Sequence, residues 1–236
     1  MIPLELFLYS QVRQFDQTHI LTIIICLLFL IIIPFFGRKL SKKHQRIAVI
    51  GIIVFSILQE VVDYSNRIIM RDLNWAEDLP FHICNYVFYI GMAALWTKNQ
   101  FLFEITYLLG MGSAFITILT PEFKMLNLVD YIAFFIYHAL IVLFALWGVF
   151  IDKMTPSRLS VLKVYGFLWL MVIPVGLISW ITGGNYMFLL SPPEVANPLI
   201  AGEWPWYIVN ISIIGLILMI LAYSPFYLSI KVLNNK

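Results

Sequence analysis

The chain has 236 residues, of which 61% are hydrophobic and 12% charged, with a formal net charge of +2. A mean hydropathy of +0.90 excludes a soluble domain, because a fold of this size has too little polar surface to cover so much hydrocarbon; the bilayer is its solvent. The small net charge leaves no electrostatic footprint for nucleic acid. The two cysteines, Cys26 and Cys84, both in apolar runs, form neither a disulfide framework nor a zinc knuckle.

Leu4, Phe7, Leu8, Val12 and Phe15 recur at helical spacing, which predicts a short interfacial helix over 1–17. This segment does not read as a cleavable signal: its basic residues follow the first apolar run and no small-residue cleavage site is visible. Apolar runs of crossing length then fall near 19–36, 47–66, 80–96, 101–119, 129–151, 161–181 and 204–228. They predict an all-α polytopic membrane bundle of seven transmembrane helices, with no sheet and a single domain over 1–236. No internal repeat is visible, and an odd number of spans argues against two equal inverted halves.

The basic residues set the expected orientation. One side collects Arg38, Lys39, Lys42, Lys43, Arg46, Lys98, Lys153, Arg158, Lys163, Lys231 and Lys236; the other has Arg13, Arg67, Arg71 and Lys124. The heavily basic side is expected in the cytoplasm, with the N-terminus outside and the C-terminus cytoplasmic.

Polar groups inside the spans cost free energy, so those that persist touch one another, water or a substrate. Span two carries Ser56, Gln59, Glu60, Asp63, Asn66 and Arg67 on one face. Asn66 and Arg67 can snorkel to the interface, but Glu60 lies about 9 Å below Asn66 at the helical rise and needs a partner, as does Asp63. Span three opens Leu79-Pro80-Phe81-His82-Ile83-Cys84-Asn85-Tyr86, and span five carries His138. Between spans six and seven, a long loop with Gly183-Gly184-Asn185-Tyr186 and Ser191-Pro192-Pro193 has no basic residue and is expected to fold over the bundle mouth. Span seven begins Glu203-Trp204-Pro205-Trp206-Tyr207 and brings Asn210 to a similar depth. His19 reads as interfacial, His44 belongs to a solvated basic loop, and the inner halves of the spans are nearly bare of ionisable groups. One polar chamber in the outer leaflet is therefore expected, with Glu60, Asp63, Asn85, Asn185, Tyr186, Trp206 and Asn210 as substrate contacts.

His82 and Cys84 are two residues apart, about 200° around a regular helix, so they cannot face each other. A Cys–His pair must come from two helices, with Cys84 as nucleophile and His138 as base. Such a pair suits acyl transfer from an ester, with His82, Asn85, Asn185 or Tyr186 as oxyanion donor. Two plainer readings stand beside it: a lone membrane cysteine is often a small apolar filler, and intramembrane polar groups often only hold helices together. A transporter or receptor-like binder would use the same chamber without the thiol. No ligand spacing points to a metal, no cofactor is implied, and the lack of a mid-span lysine in span seven disfavours a retinal protein.

Several segments carry a resemblance over nearly the whole chain. They are Leu79 to Cys84, Gly110-Met111-Gly112 with Thr120-Pro121, Phe135-Ile136-Tyr137-His138, Asn185-Tyr186-Met187-Phe188-Leu189 and Trp204-Pro205-Trp206-Tyr207. In these the chain resembles the bacterial YwaF-like (TP-type) integral membrane proteins. That family looks related to the eukaryotic transmembrane protein 164, an acyltransferase, and more distantly to the androgen-induced gene proteins, which are membrane hydrolases. The resemblance implies a bacterial plasma-membrane protein, a phospholipid or fatty-acyl substrate, and a Cys–His pair at Cys84 and His138.

Overall fold

The computed structural model describes residues 14–121, 125, 127–192 and 202–234, so the interfacial helix expected over 1–17 falls almost wholly outside the described residues. Seven α-helices follow in order: α1 Gln17–Gly37, α2 Lys42–Met70, α3 Ile83–Thr97, α4 Gln100–Leu119, α5 Leu128–Phe150, α6 Ser160–Thr182 and α7 Trp206–Asn234, with a short 3-10 turn at Tyr186–Phe188. No strand occurs among the described residues. Six of the helices are long and apolar enough to cross a membrane.

The exception is α3, with 15 residues against the 80–96 expected. At 1.5 Å per residue it is about 22 Å long, short of a hydrocarbon core. Pro80 and the extended backbone of His82, its N-cap residue, delay its start. Helices α1, α4 and α5 begin where a short polar side chain takes up the free amide groups of the first turn. Asp16 accepts from the His19 N–H, Asn99 from Phe101 and Leu102, and Asn127 from Asp130.

Helices α3, α4 and α5 form the centre. α1 and α2 pack on α5, while α6 and α7 pack on α4. Of the apolar stretch of α5, 72% is buried, against 11% in α6 and in α7. Lipid must therefore cover the outer faces of the flanking helices, as Ile173, Trp180 and Ile31 show by lying exposed. The central helices approach closely because small residues face large ones. A side-chain carbon added at Gly110 would lie 2.9 Å from Ile141, and one at Gly148 2.6 Å from Phe103. In lipid, which is as apolar as leucine, such close approach is a main source of helix association.

The connections after α2, α4 and α6 lie on one face of the bundle, here the upper face. Tyr186 from the last of them bonds the Leu79 N–H at 3.0 Å, and Asn66 at the end of α2 exchanges bonds with Asn127. The connections after α1, α3 and α5 lie on the lower face. There Lys98 pairs with Asp152, and Gln45 bonds the Gly37 carbonyl at 3.2 Å.

The lower half is not bare of ionisable groups. Glu104 on α4 is fully buried, and its Oε1 accepts from the Gln100 amide at 2.9 Å and the Ser157 N–H at 2.8 Å. It fastens the α5–α6 connection to α4. Sequence reading did not single out Glu104, whose partner Ser157 comes from a loop distant in sequence.

Candidate functional site

The upper end of α2 carries a charged network. Arg67 pairs with Asp63 at 2.8 Å and with Asp78 at 3.1 Å, and Arg71 reaches Asp78 at 2.7 Å. Burial alone would raise the Asp78 carboxyl, but the Asn74 N–H at 2.7 Å and the two arginines hold it below the ordinary carboxylate range. Asp63 and Glu60 thus find partners other than the histidines. Arg67 takes Asp63, and the Tyr89 hydroxyl donates to Glu60 Oε2 at 2.8 Å. Arg67, read from sequence as a snorkelling fringe, is the centre of this network.

At the start of α3, the N-cap residue His82 faces the α6–α7 connection. Its N–H donates to Asn85 Oδ1 at 3.1 Å, its Nδ1 accepts from the Met187 N–H at 3.4 Å, and its ring lies edge-on to Tyr186. Tyr186 is fully buried, accepts from Leu79 and donates to the Trp75 carbonyl at 2.7 Å. Asn185 donates to the Ser191 carbonyl and hydroxyl and accepts from Leu190 and Ser191. These two residues tie the connection to itself and to the α2–α3 loop. At the far edge of the same face, Trp206 is 68% exposed and Asn210 is also exposed.

Cys84 turns into the bundle. It is partly buried against the main apolar core. One turn further along α3, Phe88 stacks on Tyr137 of α5 with ring centres 4.2 Å apart. Asn85 Nδ2 donates to the Tyr137 hydroxyl at 3.0 Å. Tyr89, the residue after Phe88 on α3, holds Glu60 of α2. Groups from α3 and α5 therefore meet at Tyr137, with Glu60 of α2 held one residue beyond Phe88. Sequence reading singled out Cys84, Asn85 and Glu60 but missed Tyr137. The signal for Tyr137 was its place beside His138 in an otherwise apolar run.

His138 follows Tyr137 directly. Its Nδ1 lies 2.7 Å from the Phe134 carbonyl, and its ring sits 4.5 Å from the Phe134 ring and edge-on to Tyr137. A carbonyl only accepts, so Nδ1 carries the proton and Nε2 is left with its lone pair. No hydrogen bond engages Nε2 among the described residues. Nor do the described residues include any group of three or more His, Cys, Asp and Glu side chains able to hold a metal ion.

Fold and site together define a multi-pass, all-helical membrane protein with a polar knot buried among its central helices. The chain belongs to the TMEM164 family, whose model matches residues 13–223. Comparison with curated proteins and with solved structures gives no match.

Proposed function

We propose that this protein transfers or hydrolyses a fatty-acyl group of a membrane lipid, with Cys84 as nucleophile and His138 as base and then acid. The observation that carries the reading is the protonation pattern of His138. With Nδ1–H committed to the Phe134 carbonyl, Nε2 is the nitrogen able to take a proton. Cys84 of α3 packs against the core that includes Tyr137, the neighbour of His138, and a thiol in apolar surroundings needs such a base to become the reactive thiolate.

The thiol proton passes to His138 Nε2 while sulfur bonds the ester carbonyl carbon and the carbonyl electron pair moves onto oxygen. Collapse re-forms the carbonyl and expels the alcohol oxygen, which takes the proton back from the imidazolium. An acceptor hydroxyl, or water, then gives its proton to Nε2 and attacks the thioester, and the sulfur leaves and is reprotonated. Glu60, partly exposed between α2 and α3 and held by Tyr89, is the polar group best placed to meet the lipid's head or glycerol region. Asp63 lies one turn along the same helix, committed to Arg67. The phospholipid substrate, the upper face turned outward and a place in the bacterial, YwaF-like branch of the family belong to the same proposal.

The test is lipid turnover by purified protein in phospholipid micelles, beside Cys84→Ser and His138→Ala, with the helical fold checked for each. Loss in both variants is expected, and the two losses should not add, since the residues act as one unit. Equal turnover in all three would reject the chemistry, and a binding protein would keep its ligand affinity in Cys84→Ser.

A further inference from the structure

Tyr137 is the residue around which the knot is built, and its hydroxyl holds one bond of a possible two or more. It accepts from Asn85 Nδ2 at 3.0 Å, and its own O–H has no acceptor among the described residues. A hydroxyl that accepts one hydrogen bond donates a stronger one, because the two bonds polarise each other. The ring cannot swing away, being stacked on Phe88 with planes 16° apart and packed edge-on to His138. The hydroxyl is thus a fixed, polarised donor on a buried ring, stacked on the residue that lies one turn along α3 from Cys84.

The alternatives for this role are engaged elsewhere. Tyr186 spends its hydroxyl on Leu79 and Trp75, and Asn185 spends both amide hydrogens on Ser191. His82 is the N-cap residue of α3 and is turned toward Met187, Tyr186 and Phe188. Asn85 directs its amide at Tyr137 itself.

We infer that the Tyr137 hydroxyl is the oxyanion donor for acyl chemistry at Cys84, with Asn85 as the positioning residue that holds and polarises it. The inference rests on the acyl-transfer reading above. When the Cys84 sulfur bonds an ester carbonyl carbon, the carbonyl electron pair becomes an alkoxide. The Tyr137 O–H donates to that oxygen and keeps its proton, and the bond relaxes when the carbonyl re-forms. A donor aimed where charge develops, in a site of low polarity, stabilises the transition state more than the ground state.

The experiment compares purified wild type with Tyr137→Phe, which retains the stack on Phe88 and removes only the hydroxyl, by two readouts. The first is lipid acyl turnover, expected to fall about 10²–10³-fold in kcat with little change in KM. The second is alkylation of Cys84 by iodoacetamide, which needs the thiolate but builds no oxyanion, and its rate should match wild type. Asn85→Leu should lower turnover by a smaller factor than Tyr137→Phe. Wild-type turnover in Tyr137→Phe would overturn the inference while leaving the Cys–His reading intact. So would an equal fall in turnover and alkylation, which would mark Tyr137 as a packing residue. A wild-type protein that turns over no acyl ester would overturn the acyl-transfer reading, and this inference with it.

Discussion

Two histidines of this bundle are buried, and each holds a main-chain carbonyl, but they differ in what is left over. His19 lies at the upper end of α1 and is fully buried within the protein. Its Nδ1 accepts from the Phe15 N–H at 2.9 Å, which leaves Nε2–H to donate to the Ile118 carbonyl at 2.9 Å. Both nitrogens are spent, Nδ1 on the backbone just before α1 and Nε2 on joining α1 to the end of α4. His138 spends one nitrogen on its own helix and retains the other. Burial and polarity are therefore poor guides to function in a membrane bundle, where nearly every polar group inside is buried. The number of donors and acceptors a group retains after the fold is satisfied separates a strut from a candidate reagent.

The sharpest way to break this contrast is to remove each imidazole. His138→Ala should lower acyl turnover about 10²–10⁴-fold, the usual weight of a general base, with the thermal midpoint close to wild type. His19→Ala should leave turnover per folded molecule nearly unchanged. It should instead cost about 1–3 kcal/mol in stability, because the Ile118 carbonyl loses its donor in a buried place. Denaturant titration of the detergent-solubilised proteins, read by far-ultraviolet circular dichroism, measures the second effect. A His19 variant as inactive as the His138 variant at equal folded content would abolish the distinction.

The carboxylates extend the comparison. Asp78 has its acceptors spent on the Asn74 N–H, Arg67 and Arg71. Its carboxyl is held below the ordinary value of 3.8, so its stabilising contribution is full above that value and is lost as pH falls through the depressed folded-state value. Wild type should therefore lead Asp78→Asn in stability at neutral pH, and the gap should close only in strong acid. A gap that is constant from neutral to strong acid would mean that charge plays no part in the network.

The smallest effect is expected at Glu104. Glu104→Gln retains an oxygen for the Ser157 N–H but trades charge-assisted bonds for neutral ones, a loss of about 1 kcal/mol. Acyl turnover should not respond, since this latch lies at the lower end, away from Cys84. A large loss of turnover with the fold intact would show that the α5–α6 connection communicates with the site.

Composition and the length of the apolar runs were enough to determine an all-helical membrane bundle, because lipid offers the backbone no other partner and helices satisfy it within one segment. The polar stripe on α2 was equally legible, since helical periodicity and rise convert sequence distance into face and depth. The stop at Pro80 and the His82 cap, which shorten α3, were visible as residues but not as a boundary. What only the tertiary structure decided is which polar groups meet. Asp63 turned to Arg67 and Glu60 to Tyr89, Glu104 received a loop fifty residues away in sequence, and Tyr137 rather than Asn185 or Tyr186 retained a hydrogen to donate. Hydrogen-bond partners across helices depend on rotation and register between elements, and those are set by side-chain packing such as Gly110 against Ile141, which no single helix encodes alone.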